Sequence, residues 1–199
     1  MIYLAGHAVL HAEADGMISR TMLSAIRKKT GMRRVDFYTI MQYEAARQAI
    51  ENSVFKENLP EDTGIIVSGE FGPQNTVAAF LDELRNYPED QVLSGSFSHS
   101  VHNAAASYLA AAFRITGPDL TQTGFEEPRI SAFRNAEAFL IGGYAQRILL
   151  VFALEHGYIT DELSKTRDIP PEYAEAFLLS ANENEGSPFS AELYTEIPK

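Results

Sequence analysis

Glu126 and Glu127 stand side by side in Gly124-Phe125-Glu126-Glu127-Pro128, a sharp turn that leads into a helix opened by proline. Carboxylates at such a point have two ordinary uses. In the first turn of a helix the macrodipole favours them by about 0.3–1 kcal/mol, and in a cleft either one can act as a general base. For the second use the sequence supplies no partner with a defined role. His99-x-x-His102 brings two imidazoles close together. A metal would need a third ligand, and the spacing differs from the i, i+4 pair of His-Glu-x-x-His, so a capping or interface role suits them better. Ser68, Ser96, Ser98 and Ser100 offer hydroxyls, none of them in a Gly-x-Ser-x-Gly elbow. Gly69–Gly72 with Pro73 lacks the Gly-Lys-Ser/Thr ending of a phosphate loop and reads as a tight turn. His7, His11 and His156 show no partner in the sequence. Glu137, inside an apolar run, should face a cleft or pair with Arg134 or Arg147, because burial alone would cost several kcal/mol. The chain has no cysteine, which removes thiol catalysis, thiolate metal sites and disulfides together. Neither a metal nor a cofactor is expected.

The elements that must position these groups follow from periodicity. Residues 2–11 (IYLAGHAVLH) read as a first strand, and 17–34 as a polar, basic excursion without regular structure. Asp36 caps a helix to about Ser53, with Phe37, Ile40, Met41, Ala45 and Ala49 on one face. Gly64-Ile65-Ile66-Val67-Ser68 is a short strand suited to burial on both faces. Val77, Phe80, Leu81 and Leu84 make the clearest amphipathic helix, ended by Tyr87-Pro88. A loop at 94–98 precedes an alanine-rich helix over 102–114, and Asp119–Thr123 is a third strand. Pro128 opens a helix to about Ile141, apolar on two sides and so expected to be central and buried. Residues 147–154 (RILLVFAL) form a fourth strand, and 174–180 with 190–194 a terminal antiparallel pair. This order predicts an α/β fold with a mostly parallel five-stranded sheet and helices on both faces, in one domain over 1–199. In such sheets function gathers where strands end and helices begin, here at Gly69–Gln74 and Gly124–Pro128.

The chain of 199 residues is 45% hydrophobic and 22% charged, a composition that excludes disorder and fibrous classes. No apolar run is long enough to span a bilayer and no signal peptide is visible, so a cytoplasmic location is expected. The 16 basic against 27 acidic side chains give −11, which argues against nucleic acid and anionic membranes as partners. The charge is uneven. Arg27, Lys28, Lys29, Arg33 and Arg34 cluster as a solvated basic face, and the stretch from Glu155 onward is acidic.

Phe97-Ser98-His99-Ser100-Val101-His102-Asn103-Ala104-Ala105-Ala106-Ser107-Tyr108, followed by Phe113-Arg114-Ile115-Thr116-Gly117-Pro118, resembles the β-ketoacyl synthase segment that runs into the nucleophile strand. It is most similar to the ketoacyl synthase-like, N-terminal domain type, marked by a Ser-Val-His-Asn-Ala run. Arg33-Arg34-Val35-Asp36, Ile65-Ile66-Val67-Ser68-Gly69, Ala145–Val151 and Tyr173–Ser180 resemble other segments of that family in the same order. The resemblance covers essentially the whole chain.

It implies one half of a thiolase-like fold. Full-length members have two such halves, pair as dimers, and condense acyl chains on acyl carrier protein through a Cys, helped by two His from the second half. This chain departs from that pattern twice. Counting from either side places the nucleophile position at Glu126 or Glu127, neither of which can form a thioester, and the half that carries the two His is absent. The resemblance therefore implies a non-condensing, chain-length-factor-like partner of a full-length ketosynthase in polyketide, aryl polyene or fatty-acid-like biosynthesis. A carboxylate at that position would mimic a bound carboxylate or hold a neighbour in place. Substrate or interface candidates are Ser98, His99, His102, Asn103 and Phe125, with an interface built from the third strand and the Ser94–Tyr108 segment. Acyl carrier protein, itself acidic, would be reached indirectly through the partner. Two alternatives stay open: an acyl-thioester decarboxylase or hydrolase using Glu126 or Glu127, and a homodimeric acyl-binding relic of the fold.

Overall fold

Six consecutive residues, Gly64–Gly69, are buried, which requires a strand covered on both faces. The computed structural model, describing residues 1–194 apart from 33, 57, 125–127 and the side chain of 89, shows how this is met. The elements run β1 (Tyr3–His11), α1 (Arg20–Lys29), α2 (Phe37–Glu51), β2 (Gly64–Gly69), α3 (Gln74–Asn86), α4 (Ser94–Ser100) and α5 (Ala104–Phe113). They continue with β3 (Asp119–Thr123), α6 (Pro128–Ile141), β4 (Arg147–Leu154), α7 (Tyr158–Leu163), β5 (Tyr173–Ser180) and a two-residue β6 (Ser187–Pro188). The sheet order is β3-β2-β4-β5-β1-β6. β2 lies parallel to β3 and β4, whereas β4–β5, β5–β1 and β1–β6 are antiparallel.

Alternate side chains of the inner strands enter two cores. Ile65, Val67, Leu149, Val151, Ala153, Ala174, Ala176 and Leu178 meet α2 and α5 on one face. Ile66, Ile148, Leu150, Phe152, Phe177 and Leu179 meet α6 on the other. The first interface is rich in alanine from both sides, including Ala45, Ala46 and Ala49 of α2, so helix and sheet approach closely. Asp36 starts α2 by accepting the Thr39 amide at 2.7 Å.

The α/β class, the two helix layers and most expected elements are borne out. Several details differ. The sheet has six strands and is mixed, because β5 pairs with β4 and β1 instead of with 190–194; that last stretch holds a 3₁₀ turn, Ala191–Tyr194. The expected irregular excursion contains α1, whose Leu23 is buried and whose Ile26 packs against the core, an apolar stripe set among polar and basic residues. Residues 94–98, expected as loop, begin α4, a Ser/Gly-rich helix of weak propensity. α6 buries one face (Ala132, Phe133, Ala136, Leu140) and leaves Ile141 exposed, so it covers the sheet and is not central.

β1 shifts register between Leu4 and Gly6, where α2 crosses. A methyl group on Gly6 would fall on the Ala49 carbonyl oxygen and lie 3.1 Å from Ser53 Cβ. Gly6→Ala should therefore cost about 3 kcal/mol, since the obstacle is helix backbone. Urea unfolding measures this, and an unchanged midpoint would contradict the close approach.

Candidate functional site

The parallel strands β2, β3 and β4 end on one side of the sheet, and the chemistry-bearing groups gather there. β3 stops at Thr123 and α6 begins at Pro128, whose carbonyl accepts from Gln122 Nε2 at 3.0 Å. Phe125, Glu126 and Glu127 lie outside the described residues.

Beyond the ends of β2 and β4, two adjacent amides lock α3 to the chain that follows β4. Gln74 Nε2 donates to the Glu155 carbonyl at 2.6 Å, and its Oε1 accepts from Ile159 N at 2.9 Å. Asn75 donates its backbone N–H to the Glu155 carboxylate at 2.9 Å and its side-chain amide to the His156 carbonyl at 2.7 Å. Glu155 is almost wholly buried, and burial pushes its carboxyl up to about 7, against the pull of the Asn75 hydrogen bond. Burial also raises Asp36, against the pull of its bonds to Thr39.

Glu172, just before β5, is the second buried carboxylate. It accepts Ile18 N at 2.9 Å, His156 N at 2.8 Å and Arg20 Nη2 at 2.6 Å. A third group sits on the α6 face: Arg129 donates to Glu175 at 2.6 Å and to the Tyr194 carbonyl at 3.0 Å, with its guanidinium 4.3 Å from the Phe152 ring centre. His7 completes that group, 2.7 Å from Glu175 and stacked on Phe177.

Of the residues singled out by sequence, His99 reaches a cavity of about 490 Å³ with Arg20, Arg27, Arg34, Asp36, Phe37, Asn75 and Glu155. Its ring stacks on Tyr108, whose hydroxyl lies 3.2 Å from Nδ1. His102 lies elsewhere, its ring against Gly72, which has φ +64 and no room for a side chain. Ser98 is exposed and donates to the Gly95 carbonyl at 2.9 Å, and exposed Asn103 offers its carbonyl to Ser107 at the start of α5. His99 and His102 are thus not a pair, because α4 ends at Ser100 and Val101 is extended. Glu137 is exposed and lines a cleft with Ile2 and Phe133, as expected, while Arg147 pairs instead with Glu185 and Asp62. Arg20, Gln74, Asn75, Arg129, Glu155, Glu172 and Glu175 were missed by sequence reasoning. Their side-chain partners lie 46 to 168 residues away, so no local spacing marks them.

No protein-family model and no curated protein matches the sequence. Solved structures do. The ishigamide ketosynthase/chain length factor matches with a TM-score of 0.71 at 19% identity, over 92% of this chain and 62% of that one. The ketosynthase ApeO in complex with its chain length factor ApeC from Xenorhabdus doucetiae matches at 0.63 and 14%, over 91% of this chain and 79% of that one. A type II polyketide ketosynthase with its acyl-carrier protein, AntDE:AntF, matches at 0.77 and 13%, over 92% and 63%. The fold is thus the thiolase-like fold of ketosynthases and chain length factors, as the resemblance implied. The chain spans 62% of the length of the ishigamide structure it matches.

Glu155 also sets a pH dependence. Its folded value of about 7 lies above its ordinary 4.5, so the native state holds the proton more tightly. Its stabilising share is full below the ordinary value and is lost as pH rises through about 7, a loss of about 3 kcal/mol in all. Glu155→Gln keeps an acceptor for Asn75. Melting curves across that window should show the variant gaining on the parent as pH rises, and parallel profiles would contradict the assignment.

Proposed function

We propose that this chain is a non-condensing, ketosynthase-like subunit that acts by association, as a chain-length-factor-like partner of a cysteine-bearing β-ketoacyl synthase in polyketide, aryl polyene or fatty-acid-like assembly. The carrying observation is an open flank. The amphipathic stripe of α3 forms its helix but does not bury it: Leu81 and Leu84 are 57% and 50% exposed. Leu93 and Phe97, at and just before α4, add 67% and 58%, with Phe97 packed against Phe80. Exposed apolar side chains grouped on neighbouring helices mark a contact surface. α4 packs on α5, and α5 on β3, whose far edge has no strand beside it among the described residues. A free strand edge is a ready template for another chain.

The rest of the reading rests on chemistry. Without a thiol this polypeptide cannot carry an acyl thioester on cysteine, so chain joining falls to the partner. Glu126 or Glu127 stands at the nucleophile position by sequence count. Two of the matching structures are themselves ketosynthase and chain length factor assemblies, which supports the same kind of pairing here. An acidic chain of net charge −11 leaves carrier docking to the synthase. No helix among the described residues is long and apolar enough to cross a membrane, and a cytoplasmic location remains part of the proposal.

The test is co-expression with a cysteine-bearing ketosynthase of the same source, followed by light scattering of the purified material. A one-to-one complex is expected, weakened at least about tenfold by Leu84→Glu or Phe97→Asp, with thermal melts of the free subunit unchanged. A clean homodimer that ignores the synthase would favour an acyl-binding relic. Acyl-carrier thioester turnover abolished by Glu126→Ala or Glu127→Ala would favour an enzyme. Either result would overturn the proposal.

A further inference from the structure

The cavity beside His99 has an unusual balance of charge. Arg20 and Arg27 both lie against Phe37, their guanidinium carbons 5.4 and 4.9 Å from the ring centre, and Arg34 lines the same space. Like charges gathered on one ring are held there only if something offsets their repulsion. Arg20 has Glu172, at 2.6 Å. Arg27 makes only a 3.4 Å bond to the Val35 carbonyl, and among the described residues neither Arg27 nor Arg34 has a carboxylate partner.

Two of the three acids that line the cavity are already committed. Asp36 is taken by the Thr39 amide and hydroxyl, and Glu155 by the Asn75 amide. Burial raises both carboxyls, that of Glu155 to about 7, so Glu155 carries less than a full negative charge near neutral pH. Two buried polar atoms on lining residues are left without hydrogen bonds: Arg20 Nη1, a donor, and Glu83 Oε2, an acceptor whose sister oxygen is held by Ser96 at 2.9 Å. A buried donor or acceptor left unmet weakens the fold. Both atoms belong to residues that line one cavity while being closed to solvent themselves, so a ligand with two complementary ends would satisfy them once the Arg20 and Glu83 side chains turn toward it.

We infer that the Arg20–Arg27–Phe37–Glu83 cavity binds a small organic anion, whose carboxylate or phosphate is gripped by the arginines and whose hydrogen-bond donor faces Glu83. The guanidinium forks suit a planar or tetrahedral oxyanion. Phe37, Ala79 and Phe80 give the site an apolar wall for a short carbon linker, and the volume of about 490 Å³ falls within the range of small-molecule sites. This inference is tested separately from the pairing with a synthase: it shares Phe80 with the α3 stripe but draws on neither Leu81, Leu84, Leu93 and Phe97 nor the β3 edge.

The probes are phosphoethanolamine and β-alanine, which carry an anion and a donor at the two ends of a short chain, and inorganic phosphate, which lacks the donor. Amide chemical shifts of the isotope-labelled full chain report binding. Saturable shifts at Arg27, Phe37 and Asn75 are expected with at least one two-ended probe, several-fold tighter than with phosphate. Which of the two binds identifies the oxyanion. Arg27→Gln should weaken binding by about tenfold or more, with Arg34→Gln as a second variant should the first unfold. Glu83→Gln should bring the two-ended probe down to the level of phosphate. Absence of saturable shifts with both two-ended probes, or binding equal in Arg27→Gln and the parent, would overturn the inference.

Discussion

One carboxylate holds the functional end of the molecule together. Glu172 is buried before β5 and collects a backbone N–H from Ile18, another from His156 and the guanidinium of Arg20. Three stretches far apart in the chain therefore meet on one charge: the lead into α1, the turn after β4 and the start of β5. A carboxylate taken out of water with three donors is held; with one removed it becomes a buried, under-paired charge. The same ion pair sets Arg20 against Phe37, and so fixes one wall of the cavity in which His99, Asn75 and Glu155 meet. Neighbouring Glu155 does related work for α3 through Asn75. Loop geometry at the strand ends thus rests on buried acids satisfied by backbone amides.

The opposite arrangement governs the flank. α3 has the apolar spacing of a buried helix, yet buries only Gln74. Its first turn is committed to α7 and the Glu155 segment through Gln74 and Asn75, and α4 covers only part of its stripe. The stripe is therefore legible as a helix signal, and in the fold it is an exposed apolar surface. β3 tells the same story, with polar, half-exposed residues suited to an edge and a lone β2 neighbour among the described residues.

How far the sequence could be read follows from where the information lies. β2, β4 and α2 were legible because continuous apolar runs and an Asp36 cap are local signals. α1 and α4 were not, since one sets its apolar stripe among polar and basic residues and the other is built of serine and glycine. The antiparallel placement of β5 between β4 and β1 depends on contacts that no local pattern encodes. Charge misled most. The acidic stretch from Glu155 onward reads as surface, yet Glu155, Glu172, Glu175 and Glu185 are buried and bonded. The basic cluster reads as a solvated face, and Lys28, Lys29 and Arg34 are exposed, with Arg27 half-buried beside an open cavity. Buried ion pairs recruit the residue types that composition assigns to solvent.

The central claim is that this thiolase-like chain acts through its open flank. Hydrogen exchange of the β3 amides, compared between the free chain and the chain mixed with a cysteine-bearing ketosynthase, tests it most directly. Exchange across Asp119–Thr123 should slow strongly in the mixture while the inner strands β4 and β5 stay as they were. Unchanged exchange at β3 in a mixture where the synthase is folded and active would contradict it.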